Sequence, residues 1–159
     1  MVAIMFTPEI QRKIRGIVYA REVETGVTLF GRREGVVFNV TDACGADPVA
    51  AHGTCHYSGD DYASFVYEDL LDGDPELERL GTLHTYPRRM RHLSEGDREA
   101  IKEALKTSEA LVAGVMLRSG GGIELYPVYF SPRVPEGREM LVLWAHPSLR
   151  NGFRRKRSP

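Results

Sequence analysis

The chain has 159 residues, 42% of them hydrophobic and 27% charged, with a formal net charge of −1. That balance suits one compact globular domain and excludes capture of nucleic acid or anionic membrane by bulk charge. The first residues lack a charged start followed by a long apolar core, and no apolar run nears the roughly 20 residues that span a bilayer. A reduced, cytoplasmic setting is expected. Cys44 and Cys55 are the only cysteines and form no CxxC pair, so neither a disulfide framework nor a four-cysteine zinc site is available.

The segment FTPEIQRKIRGIVYA reads as a first helix. Thr7 caps it, Pro8 fits its first turn, and Ile10, Ile14 and Ile17 share one face. TGVTLFG and GVVFNVTDA, rich in β-branched and aromatic residues, read as two strands around the polar break GRREG. After a small-residue loop, SGDDYASFVYEDLLDG reads as a second helix. Ser58 or Asp60 is its cap, and Tyr62, Phe65, Val66 and Leu70 face inward. ERLGTLHTY is a strand, PRRMRH a basic connection, and SEGDREAIKEALKT a third helix. EALVAGVMLRS and GIELYPVYF form a strand pair around GGG, and EMLVLWAH is a final strand. The expected fold class is therefore α/β: a mixed, mostly antiparallel sheet flanked by about three helices. Residues 1–147 form the domain. Residues 148–159 are a basic tail carrying Arg150, Arg154, Arg155, Lys156 and Arg157, read first as a solvated chain end and otherwise as a phosphate or membrane-surface contact.

The chemistry-bearing residues cluster around LGTLHTYPRRMRHLSEGDREA. His84 and Tyr86 are two apart in a strand and so share a face. Pro87 ends the strand, Ser94 opens a helix, and Asp97 sits in its first turn, where the positive end of the helix dipole favours an anion. Ser94-x-x-Asp97 is equally a capping arrangement of the kind found in proteins with no chemistry. Upstream, Glu24 lies at an element boundary, with Glu22 as its competitor on the same alternation. In AHGTCH, His52, Cys55 and His56 have no spaced partner pair, which argues for ordinary packing or solvation and against a second metal site. The Cys-x-x-Cys half-site of a zinc deaminase is absent, and so are phosphate-loop and dinucleotide fingerprints.

Taken in order, Glu24, His84-x-Tyr86, seven residues, Ser94, two residues and Asp97 resemble the motif of the JAB/MPN family, also called JAMM metalloproteases. That motif is a glutamate, then His-x-His, seven residues, Ser, two residues, Asp. Gly31 fits the glycine that ends the strand after the glutamate, and LGTLHTYP is similar to the family's stretch around its histidines. The resemblance covers residues 4–130, is of the prokaryotic single-domain type, and implies a cytidine deaminase-like architecture. It further implies Zn2+ held by two histidines and the aspartate, with water in the open position. Glu24 would then take a proton from that water and Ser94 would steady the oxyanion. The implied activity is a zinc metalloprotease or isopeptidase cleaving after the tail of a ubiquitin-like or sulfur-carrier protein. The alternative is a ligand-lost member serving as a scaffold or binding module, in a homo-oligomer or a hetero-oligomer with another MPN protein. Arg88, Arg89 and Arg91 beside the site would steer an acidic partner, unless they form an exposed loop with no role.

The departure is Tyr86, which stands where the family has its second histidine ligand. Three outcomes are open. Tyr86 ligates through oxygen, another group replaces the lost ligand (His92 being nearest, then His56 or His52), or the position holds no metal.

Overall fold

A computed structural model describes residues 1–20, 24–45, 55–56, 60–86 and 90–145. The elements in chain order are β1 (Ala3–Phe6), α1 (Pro8–Tyr19), β2 (Glu24–Glu34), β3 (Val37–Cys44), β4 (Cys55–His56) and α2 (Asp60–Gly73). There follow β5 (Glu78–His84), α3 (Glu95–Ala104), β6 (Leu111–Ser119), β7 (Gly122–Ser131), β8 (Val134–Glu139) and β9 (Leu141–Trp144). Glu22, His52, Ser58, Arg88, Arg89 and the basic tail lie outside the described residues, and β4 is described as backbone only.

The expected α/β layer, a mostly antiparallel sheet flanked by helices in the JAB/MPN manner, is not what forms. The chain is mostly β. Its strands run in the order β8-β7-β6-β5-β2-β3-β1-β9, with β4 beside β2. The two ends of that order, β8 and β9, are consecutive in the chain with only Met140 between them. The sheet therefore curls back toward itself into a nearly closed barrel, and the three helices are additions to it. Among the described residues, four strand pairings are parallel and four antiparallel. The sequence misled for a physical reason. The β2–β3 and β6–β7 hairpins announce themselves locally, whereas the parallel pairs β1–β3, β1–β9 and β5–β6 join segments remote along the chain.

Each helix covers the sheet with one apolar stripe. Thr7 caps α1, its hydroxyl accepting from the Ile10 N–H at 3.2 Å. Ile10, Ile14 and Val18 then join the main core with Ile4, Phe6, Val27, Leu29 and Leu83. Val18 takes the place expected of Ile17, which is only partly buried. On the other face, α3 sets Ile101 against Val115 and Leu117, and α2 sets Ala63, Val66 and Leu70 against Phe30 and Cys44. The expectation that Phe65 faces inward fails: it is 68% exposed. The α2 stripe runs through positions 63, 66, 67 and 70, and Phe65 falls outside that helical spacing.

Gly81 lets β5 approach β6. Its φ is +151°, and a Cβ there would stand 1.7 Å from the Val112 carbonyl oxygen. Because backbone opposes that Cβ, relief requires the strands to part. Gly81→Ala is expected to destabilise the fold by about 3 kcal/mol, whereas Phe65→Ser should change stability by less than about 0.5 kcal/mol. Chemical denaturation of the two variants measures both.

Candidate functional site

The site is assembled where β5 ends and α3 begins. His84 closes β5, its backbone held between Gly26 of β2 and Val115 of β6. Its neighbour Leu83 points into the main core, so strand alternation sends His84 to the opposite face. Two further bonds carry the pairing past the strand end. The Thr85 N–H donates to the Thr25 carbonyl at 2.9 Å, and the Thr25 N–H donates to the Thr85 hydroxyl at 2.9 Å. Tyr86 therefore leaves the sheet from a fixed position. Ser94 caps α3, its hydroxyl accepting from the Asp97 N–H at 3.2 Å, and the first turn then aims Asp97 back at His84.

One carboxylate oxygen is the focus. The Tyr86 hydroxyl donates to Asp97 Oδ2 and accepts from the Ser94 N–H at 2.8 Å. Ser94 Oγ donates to the same oxygen at 2.7 Å, and His84 Nε2 lies 3.1 Å from it. The His84 and Tyr86 rings meet edge to face, their centroids 4.6 Å apart. A phenol is longer than an imidazole, so its oxygen passes beyond the reach of a second histidine and lands on the start of α3.

The titration behaviour follows. Burial alone would raise the Asp97 carboxyl, but the bonds from Tyr86 and Ser94 and the facing His84 outweigh it and hold the carboxyl below its ordinary value. The Tyr86 phenol is pushed up, first by burial and then by donating to Asp97. These are two views of one bond, a neutral phenol serving an ionised carboxylate.

The donor set departs from that of a zinc site at Tyr86. The His84–Asp97 spacing is near the roughly 3.3 Å that separates two ligands of a tetrahedral zinc. Yet the oxygen facing His84 is already engaged by two hydroxyls, and the third donor is a phenol biased against deprotonation. Among the described residues, no three His, Cys, Asp or Glu side chains gather as a metal-binding group.

The structure brings His84, Tyr86, Ser94 and Asp97 together. The register of β2 on β5 places Glu24, two residues before Gly26, on the face that carries His84. His92, the substitute ligand expected from the sequence, is not among the residues lining the cleft that His84 and Asp97 share. It is exposed and lines a separate pocket with Arg91 and Tyr126. Cys44 is buried at the outer end of β3, where burial pushes its thiol up. A cleft of about 680 Å³ opens from His84 and Asp97 along α3, β5 and β6, with Arg79 and Ser108 toward its other end. Sequence reasoning missed the bond between the Tyr86 hydroxyl and the Ser94 amide. Their eight-residue separation carries no signal until the strand end and the helix start are seen side by side.

The fold is shared with solved proteins. Protein DSY2949 from Desulfitobacterium hafniense is 16% identical with a TM-score of 0.65, the match covering 90% of this chain and 93% of that one. A protein from Salinibacter ruber is 18% identical with a TM-score of 0.55, covering 92% and 93% respectively. At such identities the likeness shows the fold and nothing of the chemistry. No family model and no curated protein matches the chain.

The Asp97 carboxyl is lowered, so its contribution to stability is full above its ordinary pKa and fades as pH falls through the folded-state value. Tyr86→Phe removes one donor. The variant is expected to lose about 1–2 kcal/mol at neutral pH and to show a shallower fall toward about pH 3. Its Asp97 carboxyl should titrate higher than the parent's. Denaturation across the pH series and a carboxyl-detected NMR titration check the two effects.

Proposed function

We propose that the chain is a non-hydrolytic protein-binding module whose JAMM-like site is closed by protons in place of a metal. The observation that carries this reading is the state of Asp97 Oδ2, which receives hydroxyl protons from Tyr86 and Ser94 in front of His84. Nothing in that network is poised to attack a bond. The Ser94 proton rests on a carboxylate whose pKa is lowered, hence a weak base, and the Ser94 oxygen accepts from the Asp97 amide. The phenol is held neutral. Such a network fixes the strand end to the helix start and leaves the surface around it as the working part. The motif resemblance supplies the partner class: the tail of a ubiquitin-like or sulfur-carrier protein, or another MPN-type chain.

One observation favours a second reading, the zinc metallohydrolase or isopeptidase. It is the 3.1 Å separation of His84 Nε2 and Asp97 Oδ2, suited to two corners of a zinc site. Glu24 on the same face would serve it as proton acceptor.

Metal analysis separates the two. The purified chain is expected to hold under about a tenth of an equivalent of zinc, with chelator leaving its unfolding temperature unchanged. Tyr86→His should take up zinc stoichiometrically. Near-stoichiometric zinc in the parent chain, with cleavage of a ubiquitin-like fusion that chelator abolishes, would overturn the binding-module reading in favour of the hydrolase.

A further inference from the structure

A second pocket, of about 350 Å³, lies beside the site on the far side of the segment leading into α3. Its volume falls in the range of about 300–1,000 Å³ typical of small-molecule sites. Its apolar walls come from Leu93, Val115, Val128 and Met140, of which Leu93, Val115 and Met140 are buried in the fold. Its polar lining is unbalanced: Arg91 and Arg98 against one carboxylate, Glu139, with His92 beside them.

Both guanidiniums are oriented. Arg91 lies over the Tyr126 ring, 5.8 Å from its centroid, an arrangement that steadies a long side chain through cation–π attraction. Arg98 donates one N–H to the Glu136 carbonyl at 3.1 Å, which fixes its reach. A guanidinium carries five N–H donors in a planar fork suited to carboxylate or phosphate oxygens.

We infer that this pocket binds a small organic anion, its carboxylate or phosphate held by Arg91 and Arg98 and its apolar body seated against Leu93, Val128 and Met140. The volume suits a single small molecule better than a folded partner, and the charge imbalance selects an anion. The inference is independent of whether the neighbouring site holds zinc. It also gives Arg91 a bound-ligand role in place of the partner steering expected from the sequence.

Phenyl phosphate and inorganic phosphate are the probes, titrated into the full chain and followed by amide chemical shifts. Phenyl phosphate is expected to move the Leu93, Tyr126 and Met140 amides saturably. Arg91→Gln and Arg98→Gln should each weaken it about tenfold, and inorganic phosphate should bind at least about tenfold less tightly. Arg91 is exposed, so its variant keeps the parent spectrum and remains informative if the Arg98 variant does not fold. The inference is overturned by the absence of saturable shifts at millimolar phenyl phosphate. Equal binding of the two probes, or unchanged affinity in the folded variants, overturns it as well.

Discussion

Asp97 Oδ2 ties the last residues of a central strand to the first turn of a helix, and the arrangement of the whole site follows from how that oxygen is satisfied. A half-buried carboxylate is costly unless it is met by donors or positive charge. Here the helix start supplies the Ser94 hydroxyl, the strand end supplies the Tyr86 hydroxyl, and His84 faces the same atom. The Ser94 amide in turn donates to Tyr86, so the phenol is gripped from both sides. A metal would have to displace these protons and also draw one from a phenol whose pKa is raised.

The barrel makes that convergence possible. His84 is fixed by strands on both sides, and Gly81, three residues earlier, allows β5 to lie against β6 where no side chain would fit. The bonds between residue 25 and residue 85 continue the pairing beyond the last formal residue of β5, so Tyr86 inherits the rigidity of the sheet. The apolar stripes of α2 and α3 pack on the face that carries His84, while α1 serves the other face.

Part of this was legible in the sequence. The Thr7 and Ser94 caps, the α1 stripe and the existence of the two hairpins rest on local chemistry, which periodicity and capping patterns report, although β2 runs through the expected break GRREG as far as Glu34 and turns only at residues 35–36. The curl of the sheet was not legible. It depends on β1 and β9, four residues each, and on parallel pairings that no turn residue marks. The approach of His84 to Asp97 was readable from their spacing. The reach of Tyr86 to the helix start was not, because it depends on the distance between two elements rather than on any residue pattern. Phe65 is the reverse case, a large apolar residue in a helical segment that the observed stripe leaves outside.

The most direct test is a crystal structure of the chain grown with excess zinc. The account predicts the Tyr86 hydroxyl between Asp97 Oδ2 and the Ser94 amide, with no ion bound between His84 and Asp97. A zinc ion bonded to His84 Nε2 and Asp97, with the phenol swung aside or ligating as phenolate, would contradict it.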